Sequence, residues 1–298
     1  MEREATRPPI AKAGEGDRSA ASGTWLEQEL VARLARCFPP GALSRNGLLR
    51  DFRDNLLEGV ELGELATRRA IGPQLSRIDS PLALALNSFL PWRDHPASLE
   101  LAGCSGFSAL HFLLFCPTGM RGAPPTVPVL ACGPQAVVAI EALALSWLRR
   151  PDRRHAAGHR ELGEILGLGT WQAAAAGVGP AGEPLRHLAA ARLYRIALAL
   201  ARNFPAVQRR LFYLFLEPPG ARSTALFARH REELAWLEER SRGSAVEFGF
   251  ASFADLWEAW SRTAPTPALR EHARRLLARY VAPLTAWPRP VLVHCSAS

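Results

Sequence analysis

The chain has 298 residues, 48% hydrophobic and 21% charged, which supplies apolar material for a sizeable core and excludes wholesale disorder. Its 36 basic against 28 acidic residues give a net charge of +8, the sign expected of a partner for nucleic acid or an anionic surface. Lys12 is the only lysine, so arginine carries this charge within a background rich in Ala, Gly and Pro; GC-rich coding produces the same profile, which weakens any inference from charge alone.

The five cysteines, Cys37, Cys104, Cys116, Cys132 and Cys295, are odd in number and never form a C-x-x-C pair. Neither a disulfide framework nor a zinc site is suggested, and a reducing compartment fits better. Residues 1–23 read as a disordered tail without an apolar export segment, and no later run reaches the ~18 uncharged apolar residues of a membrane span. The expectation is a cytoplasmic protein with no membrane partner.

In chain order, Thr24-Trp25-Leu26-Glu27 reads as a capping box opening a helix along Leu26, Leu30, Val31 and Leu34, stopped by Pro39-Pro40. From Gly47 to Arg69 the four-residue recurrence of Leu48, Phe52, Leu56 and Val60, then Leu65, predicts a second long amphipathic helix. Ser80 caps a third helix, with Pro81 at its first position, that closes before Pro91. Ala109 to Cys116, Thr126 to Cys132 and Ala136 to Leu143 are apolar runs divided by Pro/Gly turns, the pattern of three consecutive strands in a sheet covered on both faces. Residues 149–182 are weakly patterned; Glu183 to Arg202 then predicts a helix and Arg210 to Leu216 a buried strand. A helix over Ser223 to Arg240, a short strand at Val246 to Phe250 and helices over Ser252 to Ser261 and Pro267 to Tyr280 complete one undivided domain.

The chain contains no P-loop, Rossmann glycine fingerprint, G-x-S-x-G elbow or H-E-x-x-H motif. His155 and His159 stand at i, i+4, but arginines surround them and no third ligand lies at metal spacing, so a solvated basic segment is the better reading. Cys104 and Cys116 read as small packing residues. Glu141 differs, because a carboxylate closing the apolar run Val-Val-Ala-Ile-Glu must be paired, neutralised or cation-bound if buried. An exposed strand end paired with an arginine is the equal alternative.

The runs Ser80 to Trp92 and Cys116 to Pro125, the strand ending at Glu141, and the stretches Tyr213 to Pro218, His230 to Leu234 and Leu256 to Trp260 resemble bacterial restriction endonucleases of the PD-(D/E)xK type. The resemblance spans about residues 25–283 and implies a restriction-endonuclease-like α/β core: a mixed sheet of three consecutive strands, a helix and a strand, flanked by helices, with helical N- and C-terminal additions. The domain would occupy residues 24–283, leaving 284–298 as an uncharacterised C-terminal tail. Such enzymes hold Mg²⁺ between acids on successive strands while a lysine helps activate water.

Carried over position by position, the pattern is degenerate. Leu113 stands at the first strand's glutamate, Pro128 at the metal-binding aspartate and Leu143 at the lysine of Glu-x-Lys; Arg192 stands at the helix glutamine, and only Glu141 is retained. One carboxylate in a basic protein holds Mg²⁺ weakly, so the expectation is a pseudoenzyme without a cofactor that binds double-stranded DNA or partners an active nuclease. Arg121, Arg149, Arg150, Arg153, Arg154, Arg192 and Arg195 are the candidate phosphate contacts. The alternatives are an active Mg²⁺-dependent nuclease in which Glu183, Glu217 or Asp152 joins Glu141, and a protein–protein module using Leu234, Trp236, Leu237, Leu256, Trp257 and Trp260.

Overall fold

A computed structural model describes residues 15–68, 71–119, 122–148 and 160–285. Helix α1, Glu15–Ala35, buries Leu26, Leu30 and Leu34 along one face. It begins at Glu15, before the expected Thr24 cap.

The long helix expected over 47–69 is absent. Two 3₁₀ turns, Phe52–Asn55 and Gly63–Thr67, stand there instead, with isolated bridges Leu43↔Leu49 and Leu48↔Arg77. Gly47, Gly59 and Gly63 all have positive φ, which ends helical runs. The Asp51 carboxylate caps the Arg53 N–H, and buried Asn55 donates to the Leu75 and Arg77 carbonyls. Of the residues at that spacing Val60 and Leu65 are buried, Phe52 and Leu56 are partly buried against the core, and Leu48 is exposed, so the spacing is only partly matched by core contact.

After the short α2, Ile71–Leu75, the predicted third helix appears as α3, Pro81–Phe89, with Ser80 Oγ accepting from the Ala83 N–H at 3.0 Å. The three predicted strands are β1 (Ala109–Phe115), β2 (Thr126–Cys132) and β3 (Ala136–Leu143). Within the weakly patterned stretch lie α4 (Arg160–Ile165) and α5 (Gly169–Ala175). Helix α6, Ala190–Asn203, starts later than expected, and the backbone N–H groups of Arg186, His187 and Leu188 ahead of it are taken by the Glu233 carboxylate. Then follow β4 (Gln208–Phe215), α7 (Ala225–Ser241), β5 (Glu247–Ser252), α8 (Phe253–Thr263) and α9 (Pro267–Leu276). The last predicted helix is α-helical to Leu276 and continues as a π-helical turn over Leu277–Val281.

The fold is α/β: a five-stranded mixed sheet of order β1-β2-β3-β4-β5, flanked by helices. β1, β2 and β3 pair antiparallel, while β3, β4 and β5 pair parallel through the helical crossovers that parallel strands require. Seven of the eight β3 residues are buried, and because alternate strand side chains face opposite ways, the strand is covered on both sides. No helix among the described residues is long and apolar enough to cross a membrane.

The tryptophan-rich C-terminal helices belong to this core. Leu234, Leu237 and Trp257 are fully buried, Trp260 packs between Phe89 and Trp92, and Trp236 and Leu256 pack partly buried against the same cluster. They are not a free surface for a protein partner. Asn87 ties three regions together: its Oδ1 accepts from the Leu57 N–H, and its Nδ2 donates to the Asn55 carbonyl and the Tyr280 hydroxyl at 2.9 and 2.6 Å. Replacing Asn87 with Ala leaves several buried groups unpartnered, so urea unfolding should report a loss of about 2–4 kcal/mol, well above an ordinary surface substitution.

Candidate functional site

The register of the sheet draws the candidate residues together. Leu113 lies between the pairs Phe112↔Val129 and Leu114↔Val127, which sets it opposite Pro128. By the β2–β3 register Pro128 in turn faces Glu141, next to Val129↔Ile140, and Glu141 pairs with Tyr213 of β4. Leu113 takes a left-handed φ of 52°. Its carbonyl accepts from Arg68 Nη1 at 2.6 Å.

Leu113, Pro128, Glu141, Leu143 and Arg192 all line one cavity of about 670 Å³. Among the described residues that line it, Glu141 is the only carboxylate. The N-terminal end of α3 (Ser80, Pro81, Leu82) and the start of α6 (Ala189, Arg192, Leu193) form much of the wall, with Trp147, His187 and Tyr213. Sequence reasoning missed these last three. Tyr213 becomes visible only through the β3–β4 register, and neither Trp147 nor His187 sits in a motif.

Glu141 is buried and Arg192 covers it. Arg192 Nε meets Glu141 Oε1 at 2.5 Å, Nη2 meets Oε2 at 2.9 Å, and Nη2 also reaches the Thr126 carbonyl at 3.2 Å. The carboxylate side chain is 6% exposed and the arginine 46%, so the acid is desolvated while the guanidinium roofs it. The Glu141 charge raises the Arg192 pKa above its ordinary value, against the opposing effect of burial. Of the two readings of Glu141, the structure gives elements of both: buried, yet arginine-paired.

Helix α6 presents its arginines to the β1–β2 connection. Arg195 Nη2 donates to the Ala123 carbonyl, Arg202 Nη1 to that of Thr118 at 3.5 Å, and Asn203 Nδ2 to that of Pro117 at 2.8 Å. Arg192 and Arg195 therefore already serve the protein's own backbone. Arg121, Arg149, Arg150, Arg153 and Arg154 lie outside the described residues, as do Asp152, His155 and His159.

The other acids considered beside Glu141 are engaged elsewhere. Glu183 is exposed and pairs with Arg229 at 2.8 Å. Glu217 is buried between Arg222, at 2.9 Å, and Arg231. No group of three or more His, Cys, Asp or Glu among the described residues is placed to hold a metal ion. Cys116 is buried, which pushes its thiol up to about 11, and burial also raises Cys104, so neither is a ready nucleophile.

Behind the cavity wall lies an aromatic and histidine cluster. Trp147 stacks on His230 at 4.0 Å between ring centroids and stands edge-on to Phe227 and His187. The Tyr213 hydroxyl and His230 Nε2 are 3.2 Å apart. Burial raises the Tyr213 pKa and lowers those of His187 and His230, keeping all three neutral near pH 7. Comparison of the chain with known proteins finds no match to a protein family, a curated protein or a solved structure.

Two measurements follow from this geometry. Removing Arg192 strands a buried carboxylate, whereas removing Glu141 strands a half-exposed guanidinium; urea unfolding of Arg192→Ala should therefore show the larger loss, about 3–5 kcal/mol, and Glu141→Ala a clearly smaller one. Equal losses would contradict the asymmetry. His187, His230 and His272 all have pKa values lowered chiefly by burial. Unfolding lets each take up a proton below its ordinary value of about 6.5, so their contribution is complete above that pH and is lost as pH falls from there toward each lowered folded-state value, by at most about 1.4 kcal/mol per pH unit per histidine. Denaturation midpoints between pH 7.5 and 5 should fall accordingly, and less steeply in His272→Gln.

Proposed function

We propose that this chain is a restriction-endonuclease-like pseudoenzyme: a DNA-binding protein that keeps the architecture of a metal-dependent nuclease and has lost phosphodiester hydrolysis. The observation that carries the reading is the convergence of Leu113, Pro128, Glu141, Leu143 and Arg192 on one cavity. The resemblance assigns those five positions to a single site, and they share one here through strand register and the placement of α6. The strand order, three antiparallel strands followed by a helical crossover to a parallel strand, supports the same reading.

Hydrolysis by such a site requires a metal ion held by acids and a group that activates water. Here Leu113, Pro128 and Leu143 supply no ligand or base, and both oxygens of Glu141 are bonded to Arg192. Among the described residues nothing favours the active-nuclease alternative, since Glu183 and Glu217 are each committed to other arginines. DNA affinity then rests on the net charge of +8 and on guanidinium edges such as those of Arg192 and Arg195.

Labelled double-stranded DNA titrated at about 50 and 200 mM salt tests both halves of the proposal. Two or three phosphate contacts predict about a 10- to 40-fold loss of affinity between those salts, with no product on a denaturing gel in Mg²⁺ or Mn²⁺. Cleavage that disappears in Glu141→Ala would overturn the loss of hydrolysis. Binding that is absent, or indifferent to salt, would overturn DNA as the ligand and direct attention to a nuclease partner.

A further inference from the structure

The restriction-endonuclease resemblance implies a metal ion beside Glu141, and the residues present do not fit one. Three oxygens converge there, the two of the Glu141 carboxylate and the Thr126 carbonyl, and all three are bonded to one guanidinium. Oxygens of this kind, a carboxylate and a backbone carbonyl, are what hard divalent cations select. The group they surround is cationic but belongs to the chain.

We propose that the Arg192 guanidinium is a tethered counter-cation that substitutes for a metal ion at Glu141 and closes the site to free divalent cations. The inference builds on the reading of this cavity as a converted metal centre. A carboxylate this deeply buried needs a positive partner, because leaving it bare would cost more than the fold can spare. An arginine carried on α6 is always present at high local concentration, whereas a free ion must be drawn from solution and stripped of water. Guanidinium also keeps its proton throughout the accessible pH range, so the counter-charge is not lost by deprotonation. Arg77, another guanidinium on the cavity, is held by Asp79 at 2.9 Å and so is not the partner of Glu141.

Removing the guanidinium should leave the carboxylate and the carbonyl facing a cavity of about 670 Å³, with room for an ion that keeps most of its waters. The structure thus assigns a latent hard-cation site to Glu141 and Thr126, visible only without Arg192.

Mn²⁺ is the probe, followed by the loss of its free-ion electron paramagnetic resonance signal and by the thermal unfolding midpoint. The proteins are the full chain, Arg192→Ala, the milder Arg192→Gln, and Arg192→Ala combined with Glu141→Gln. The expected result is about tenfold or more tighter Mn²⁺ binding in both single variants than in the unaltered chain, a midpoint raised by Mn²⁺ in those variants alone, and loss of both effects in the double variant. Variants that fold but gain no Mn²⁺ affinity would overturn the proposal. So would a gain that survives loss of Glu141, or two single variants that fail to fold with Mn²⁺ present, since an ion would then be unable to stand in for the guanidinium. The DNA titration is read separately, on the unaltered chain: no DNA binding there together with a Mn²⁺ gain in the Arg192 variants would sink the DNA-binding reading and leave this one standing.

Discussion

The structure turns on a strand that is buried on both faces and yet ends near a carboxylate. β3 carries Val137, Val138, Ala139 and Ile140 at 0–1% exposure, and Glu141 follows them into the same environment. Desolvating a carboxylate is tolerable only beside a compensating charge. Arg192 answers that requirement from α6, so the helix that covers the strand also neutralises it. The position of α6 is therefore constrained twice, by apolar packing and by the need to deliver one guanidinium to one acid.

Polar anchoring repeats around α6 in other forms. Glu233, fully buried on α7, accepts the three backbone N–H groups of Arg186, His187 and Leu188, which holds the chain just ahead of the helix. At the far end, Arg202 and Asn203 hold the carbonyls of Thr118 and Pro117 in the β1–β2 connection. Arginine in this protein is thus used inward as well as outward. A guanidinium offers five donors in a rigid plane, enough to hold a carboxylate and a carbonyl at once, as Arg192 does. Net positive charge overstates the cation surface left for an external phosphate.

The cavity at Glu141 combines features that nuclease chemistry would keep apart. Its wall is largely apolar, its one acid is neutralised, and the histidines beside it are held neutral by burial. Sites that work by general base or metal catalysis keep a charge or a lone pair available to the reacting atoms. Here the available groups are bonded to each other. The left-handed φ of Leu113, opposite Pro128, marks the same place, and Arg68 donates to its carbonyl.

By itself the sequence determined the local elements whose signals are local. Apolar runs and turn residues bounded β1, β2 and β3, and Ser80-Pro81 opened α3, because turn chemistry and helix capping act over a few residues. Its apolar periodicity also misled: Leu48 to Leu65 mimicked a helix, while glycines and the side chains of Asp51 and Asn55 bent the backbone into turns. Glu141 could be singled out from sequence because an acid within an apolar run is costly wherever it lands. Which group relieves that cost was a tertiary decision. Glu141 and Arg192 are 51 residues apart, and only sheet register together with the packing of α6 brings them into contact. The same holds for Tyr213, Trp147 and His187, whose place on the cavity follows from strand pairing and helix docking, contacts that no short window of sequence encodes.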